Sequence, residues 1–239
     1  MNIKNNFKTR ASGGNRIIAG SLLTFAIGLI FAIIGAITFT TTVKYLPQSI
    51  FSFAFLLTGS IINFILVMVI MLVGPKMKAY VLGPLASISM FLVGYFVLSY
   101  VFYFSKPSQD LIKLIAIFFI PAAAMLLMGV LAYYNLIKLN KLLPISMFVL
   151  VTFIILVIVS WFSSGKLIFT LVSAFGFLLT VIYMGIDWII IIKFNHNYKN
   201  LSPDAQSNAE LIKWSMYFGY KLAWDFIYAV VYISELFKN

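Results

Sequence analysis

The chain has no cysteine and a single histidine, His196, among its 239 residues. The first absence excludes disulfides, thiolate nucleophiles and thiolate metal sites. The second excludes a histidine-built metal centre, and His196, in a polar link, reads as a solvated side chain. Acids are also scarce, with six Asp and Glu against 17 Lys and Arg, and charged residues make up only 10% of the chain. No long polar segment stands outside the ends.

What is there is apolar. Hydrophobic residues account for 63% of the sequence, and the mean hydropathy is +1.06. A core of this size cannot hide that much apolar surface from water, so the solvent is lipid. The formal charge of +11 would suit nucleic acid, but the lysines fall in short connections between apolar runs, where membrane orientation accounts for them. A spanning helix takes roughly 20 residues, and the chain has room for about seven. The expected architecture is therefore an all-α polytopic membrane protein, with the bilayer as its principal partner.

A basic tail over 1–16, with Lys4, Lys8, Arg10 and Arg16 and no acid, faces anionic headgroups. Residues 17–39 are too long for a signal-peptide core and lack a clear cleavage site, so they stay as helix one. One transmembrane domain over 17–239 follows, with spans expected at about 17–39, 50–73, 79–104, 111–134, 142–162, 167–192 and 212–234. Ser202, Pro203 and Asp204 have the pattern of an N-cap, a proline at the first helical position and a first-turn acid. An alternative with six spans and an interfacial seventh helix follows from Lys221 and Asp225, which weaken the hydropathy of the last segment. Pro84 and Pro121 are candidate helix breaks.

Basic residues divide ten to five between alternate connections. The tail, Lys76 and Lys78, Lys138 and Lys141, and Lys193 and Lys199 lie on one side; Lys44, Lys106, Lys113, Lys166 and Lys238 lie on the other. The excess predicts a cytoplasmic N-terminus and, with seven spans, an outside C-terminus. The lack of cysteine and the Asn, Lys and Ile bias suggest a bacterial cell membrane.

Two acids interrupt this scheme. Asp187 lies inside the sixth apolar run and Asp225 inside the seventh. A charged side chain at the bilayer centre costs roughly 2.5 to 3.5 kcal/mol on insertion scales, so two of them define the candidate site. If the carboxyls meet, they share a proton, with titration steps that belong to the pair. Protonated, the pair joins helices six and seven; ionised, it repels and offers oxygen ligands to a hard cation such as calcium. Lys221, one turn before Asp225, is a modulator expected either to pair with Asp225 or to snorkel away. Lys76 or Lys78 is a second candidate cation for Asp187. Asn63 is a candidate pathway residue or interhelix hydrogen-bonder.

The segments IYMGIDWIIIIKFNHN (182–197) and YKLAWDFIYAVVYI (220–233) resemble the Bax inhibitor family, also called the transmembrane BAX inhibitor motif family. The resemblance implies six helices around a central seventh, and an aspartate pair from helices six and seven acting as a proton-sensitive latch on a calcium leak. Asp187 and Asp225 would be that pair and the contacts for permeating calcium. The resemblance implies a channel rather than an enzyme, with no resident cofactor, and names no protein partner. Three departures stand out: a longer interval between the aspartates, Asn63 where relatives have glutamate, and Lys221 where a neutral residue is expected.

Two acids on helices six and seven also suggest an intramembrane aspartyl protease. That family has glycine two residues before its second aspartate, where Ala223 stands, and a Pro-Ala-Leu motif after it, which is absent here. A retinal protein would want counter-ion carboxylates on helix three, and 79–104 has none. A proton-coupled transporter using the same pair is the remaining alternative.

Overall fold

A polar backbone in lipid must satisfy its own hydrogen bonds, and within one segment only a helix does so. The computed structural model describes residues 15–45, 53–99, 101, 111–163, 165–200 and 207–238. These form seven long helices: α1 (Arg16–Tyr45), α2 (Phe53–Val73), α3 (Ala79–Val93), α4 (Leu111–Tyr133), α5 (Leu139–Phe162), α6 (Lys166–Lys199) and α7 (Asn208–Lys238). Pro84, Pro121 and Pro144 lie within continuous helices, so of the two readings of Pro84 and Pro121, a break or a tolerated proline, the second holds. The irregular stretch falls elsewhere, in a π-helical turn over Gly94–Leu98 that prolongs α3. Gly94 faces the carbonyl of Ala32, where a Cβ would collide with the α1 backbone, so glycine sets the close approach of α1 and α3.

The helices α1 to α6 are each long and apolar enough to cross a membrane. The seventh carries Glu210, Lys213, Lys221, Asp225, Glu235 and Lys238 and is less apolar, yet it occupies the centre. It packs along α1, α3, α4 and α6, reaches α2 through the Tyr217 hydroxyl, which donates to the Met71 carbonyl at 3.2 Å, and meets α5 where Tyr232 packs edge-on to Phe153. At 1.5 Å per residue its 31 residues extend about 46 Å, enough to traverse the bundle. The architecture is thus all-α, with the seventh helix inside the others.

Three contacts gather the basic connections at one end. The Asn195 side chain accepts the Ile17 N–H at 3.2 Å, joining the start of α1 to the end of α6. Gly74, in the turn after α2, packs on Tyr217 near the start of α7. The α4–α5 turn, with Lys138, lies beside Lys193 of α6. Lys4, Lys8 and Arg10, the Ser202–Asp204 cap pattern and the loop residues Lys106 and Asp110 lie outside the described residues.

Boundaries differ from the sequence expectation where polar residues have tertiary partners. Helix six continues through Lys199 rather than ending near 192, because Asn195 and Tyr198 are buried. Asn195 caps α1 and donates to Asn15 at 3.2 Å, and the Tyr198 hydroxyl donates to the Ser207 carbonyl at 3.0 Å. Helix seven begins at Asn208, earlier than 212, and the described cap is Ser207, whose hydroxyl accepts the Glu210 N–H at 3.1 Å. Ser207 and Glu210 have the Ser-x-x-Glu spacing of a capping box.

Candidate functional site

Helical periodicity assembles the site. Tyr183 and Asp187 are one turn apart on α6; Tyr217, Lys221 and Asp225 follow at the same spacing on α7. The two stripes face each other across the interface. The Lys221 ammonium donates to Asp187 Oδ1 as an ion pair, and the Asp187 and Asp225 carboxyls lie within hydrogen-bond reach of one another. Lys221 also acts electrostatically on Asp225. Tyr183 lies within the field of Asp225 and Lys221, and Tyr217 within that of Lys221 and Asp187.

Neither reading of Lys221, pairing with Asp225 or snorkelling away, describes its contact: the ammonium pairs across the helix interface with Asp187. A lysine side chain leans toward the N-terminus of its helix, and on α7 that direction carries it to Asp187 rather than along its own helix to Asp225. The same contact answers the expectation for the second turn: Asp187 receives its cation from Lys221, while Lys78 sits over the Tyr80 ring at 5.9 Å. Asn63 is buried, and its Oδ1 accepts from Ser89 at 3.3 Å, so it bonds across helices α2 and α3. His196 is exposed at the basic end.

Asp187 is 2% exposed and its pairing lysine is 26% exposed along the side chain. Asp187 Oδ2 and Asp225 Oδ2 are both shielded and without a donor. Two ionised carboxylates cannot donate to each other, so the pair hydrogen-bonds only when one of them carries a proton. The indole N–H groups of Trp188 and Trp224, each adjacent in sequence to one of the acids, are also buried without partners. Toward the basic end an aromatic cluster closes the α6–α7 interface, with Trp214 at 4.4 Å from Phe194 and 5.6 Å from Phe218 between ring centroids. From Lys199, the end of α6, Asp187 lies twelve residues inward, about 18 Å along the helix axis. It is thus farther from that helix end than a span stopping at 192 would put it.

No group of three His, Asp or Glu side chains stands together among the described residues. The pair alone supplies four carboxylate oxygens, fewer than the six to eight ligands calcium takes, and Lys221 already engages one of them. Tyr183 and Tyr217 were missed by sequence reasoning, although their one-turn spacing from Asp187 and Lys221 is the signal that reveals them. No family model matches the chain, and no curated protein matches it.

Proposed function

We propose that the protein is a proton-gated cation leak in a cell membrane, with calcium as the expected permeant ion and the Asp187–Asp225 pair as its latch. The carrying observation is that the buried Asp187 carboxyl, paired with Lys221, lies within reach of the half-buried Asp225 carboxyl, which feels the same lysine. With one proton on the pair, the cluster is neutral, because the remaining carboxylate is balanced by Lys221. The shared proton then bonds one carboxyl to the other, and α6 stays joined to α7. Without that proton one negative charge is left over in a low-dielectric place, the carboxylates repel, and the helices part.

The parted state exposes hard oxygen ligands in a number too small to trap a divalent cation, which suits passage rather than storage. The orphaned polar atoms of Asp187, Trp188, Trp224 and Asp225 support a hydrated route alongside the pair, since each is costly in a dry interior. Lys221 distinguishes this latch from the bare aspartate pair that the likeness to the Bax inhibitor family implies. It holds the closed state with one proton and competes with calcium for Asp187. A hydrolytic reading has less support, because the carboxylate that would activate water is engaged by the lysine.

The test is calcium flux into dye-loaded vesicles, titrated against pH. Wild-type flux is expected to rise as pH rises and the shared proton leaves. Asp225→Asn, neutral at every pH, is expected to hold flux low and flat. Equal, pH-insensitive flux in wild type, Asp187→Asn and Asp225→Asn would remove the latch. A fixed ratio of protons to calcium would convert the leak into a proton-coupled transporter.

A further inference from the structure

At the basic end, two adjoining recesses of about 410 and 370 Å³ share Asn135 and Lys193. They lie between the α4–α5 turn and the extension of α6 that the sequence had assigned to a link. Lys138, Lys193 and His196 border them with Asn140, and among the described residues no acid does so. The deeper wall is apolar, with Leu143 of α5 and Ile189 of α6. The turn is fixed rather than loose: Asn135 adopts φ 55°, and the Leu136 N–H reaches back to the Leu131 carbonyl at 2.9 Å.

We propose that this recess binds the headgroup of an anionic phospholipid. Two features choose a lipid over a soluble anion, and a third chooses its charge. Tyr133 and Tyr134, exposed and packed edge-on at 5.4 Å just before the turn, mark the depth at which aromatic side chains meet headgroups. The apolar wall opens onto the outer face of α5, where Leu143 and Met147 are exposed one turn apart and give an acyl chain a track. Lys138 and Lys193 supply positive charge without an acidic neighbour, which an anionic headgroup satisfies and a zwitterionic one does not.

The binding is independent of the latch and is read without flux. Detergent-solubilised protein is titrated with phosphatidylglycerol, and retained lipid is counted by native mass spectrometry. Each lysine near an anionic headgroup contributes about fivefold, so Lys138→Gln/Lys193→Gln is expected to weaken retention roughly 25-fold. Lys44→Gln/Lys166→Gln removes the same charge at the other end of the bundle and is expected to change retention less than about twofold. Phosphatidylcholine and millimolar inorganic phosphate are expected not to compete. Unchanged retention in the recess variant, equal losses in both variants, or displacement of the lipid by phosphate would each overturn the proposal, the last by assigning the recess to a soluble anion.

Discussion

Helices α5 and α7 invert the rule that governs proteins in water. The strongly apolar α5 turns a broad face outward, with Met147, Phe148, Val151, Ile155 and Trp161 all exposed. The least apolar helix, α7, is the buried one: Phe218, Leu222, Ala223, Trp224, Ile227, Ala229 and Val230 are almost wholly enclosed around Lys221 and Asp225. When the solvent is hydrocarbon, apolar surface gains little by hiding, and polar groups gain most. The centre of the bundle is therefore where charge collects, and α7 is central because it carries what lipid rejects.

The largest way to break this contrast is to leave one of the central charges alone. Lys221→Met strips Asp187 of its ammonium, and removing one partner of a buried pair costs about 3 to 5 kcal/mol. The deficit is expected in full where Asp187 is ionised, and it should shrink as pH falls and a proton replaces the lysine. Thermal unfolding in micelles across pH measures it, and adding Asp187→Asn should restore most of the loss. A loss that ignores both pH and the second substitution would mean that Lys221 acts through packing of its stem.

A smaller effect tests how closely α7 must be held. Gly219 lies against the Ser21 carbonyl and Thr24 of α1, so any Cβ collides with backbone there. Gly219→Val is expected to cost about 1 to 3 kcal/mol by overpacking, and to change the pH response of flux only if α1 also positions α7 at the latch. The unfolding midpoint and the flux titration separate those effects.

The two aspartates were legible in the sequence because a carboxylate in an apolar run is expensive wherever it points. The pairing of Lys221 with Asp187 was not, since it depends on the relative height of α6 and α7, which no spacing within either helix encodes. The number and order of helices followed from the apolar runs. The end of α6 did not: 193–199 is polar, and what keeps it helical is Asn195 capping α1 and Tyr198 reaching Ser207, contacts between segments about 180 and 9 residues apart. The recess between that extension and the α4–α5 turn was hidden for the same reason, its lysines reading as orientation charge.

The smallest effect sharpens the comparison by holding the residue type constant. Ile155 on α5 is 54% exposed and Ile227 on α7 is 1% exposed. In water, exposing the first would be penalised and shortening it would cost little for that reason. In lipid, the acyl chains that fill in behind Ile155→Ala replace the lost side chain with chemically similar contacts, so stability is expected to stay within about 0.5 kcal/mol. Ile227→Ala has no lipid to fill its place, and it should lose the packing alone, about 1 to 3 kcal/mol, below the range for a water-soluble core because the transfer contribution is missing. Equal losses at both positions, measured by unfolding in the same lipid micelles, would mean that α5 is covered by protein rather than by bilayer.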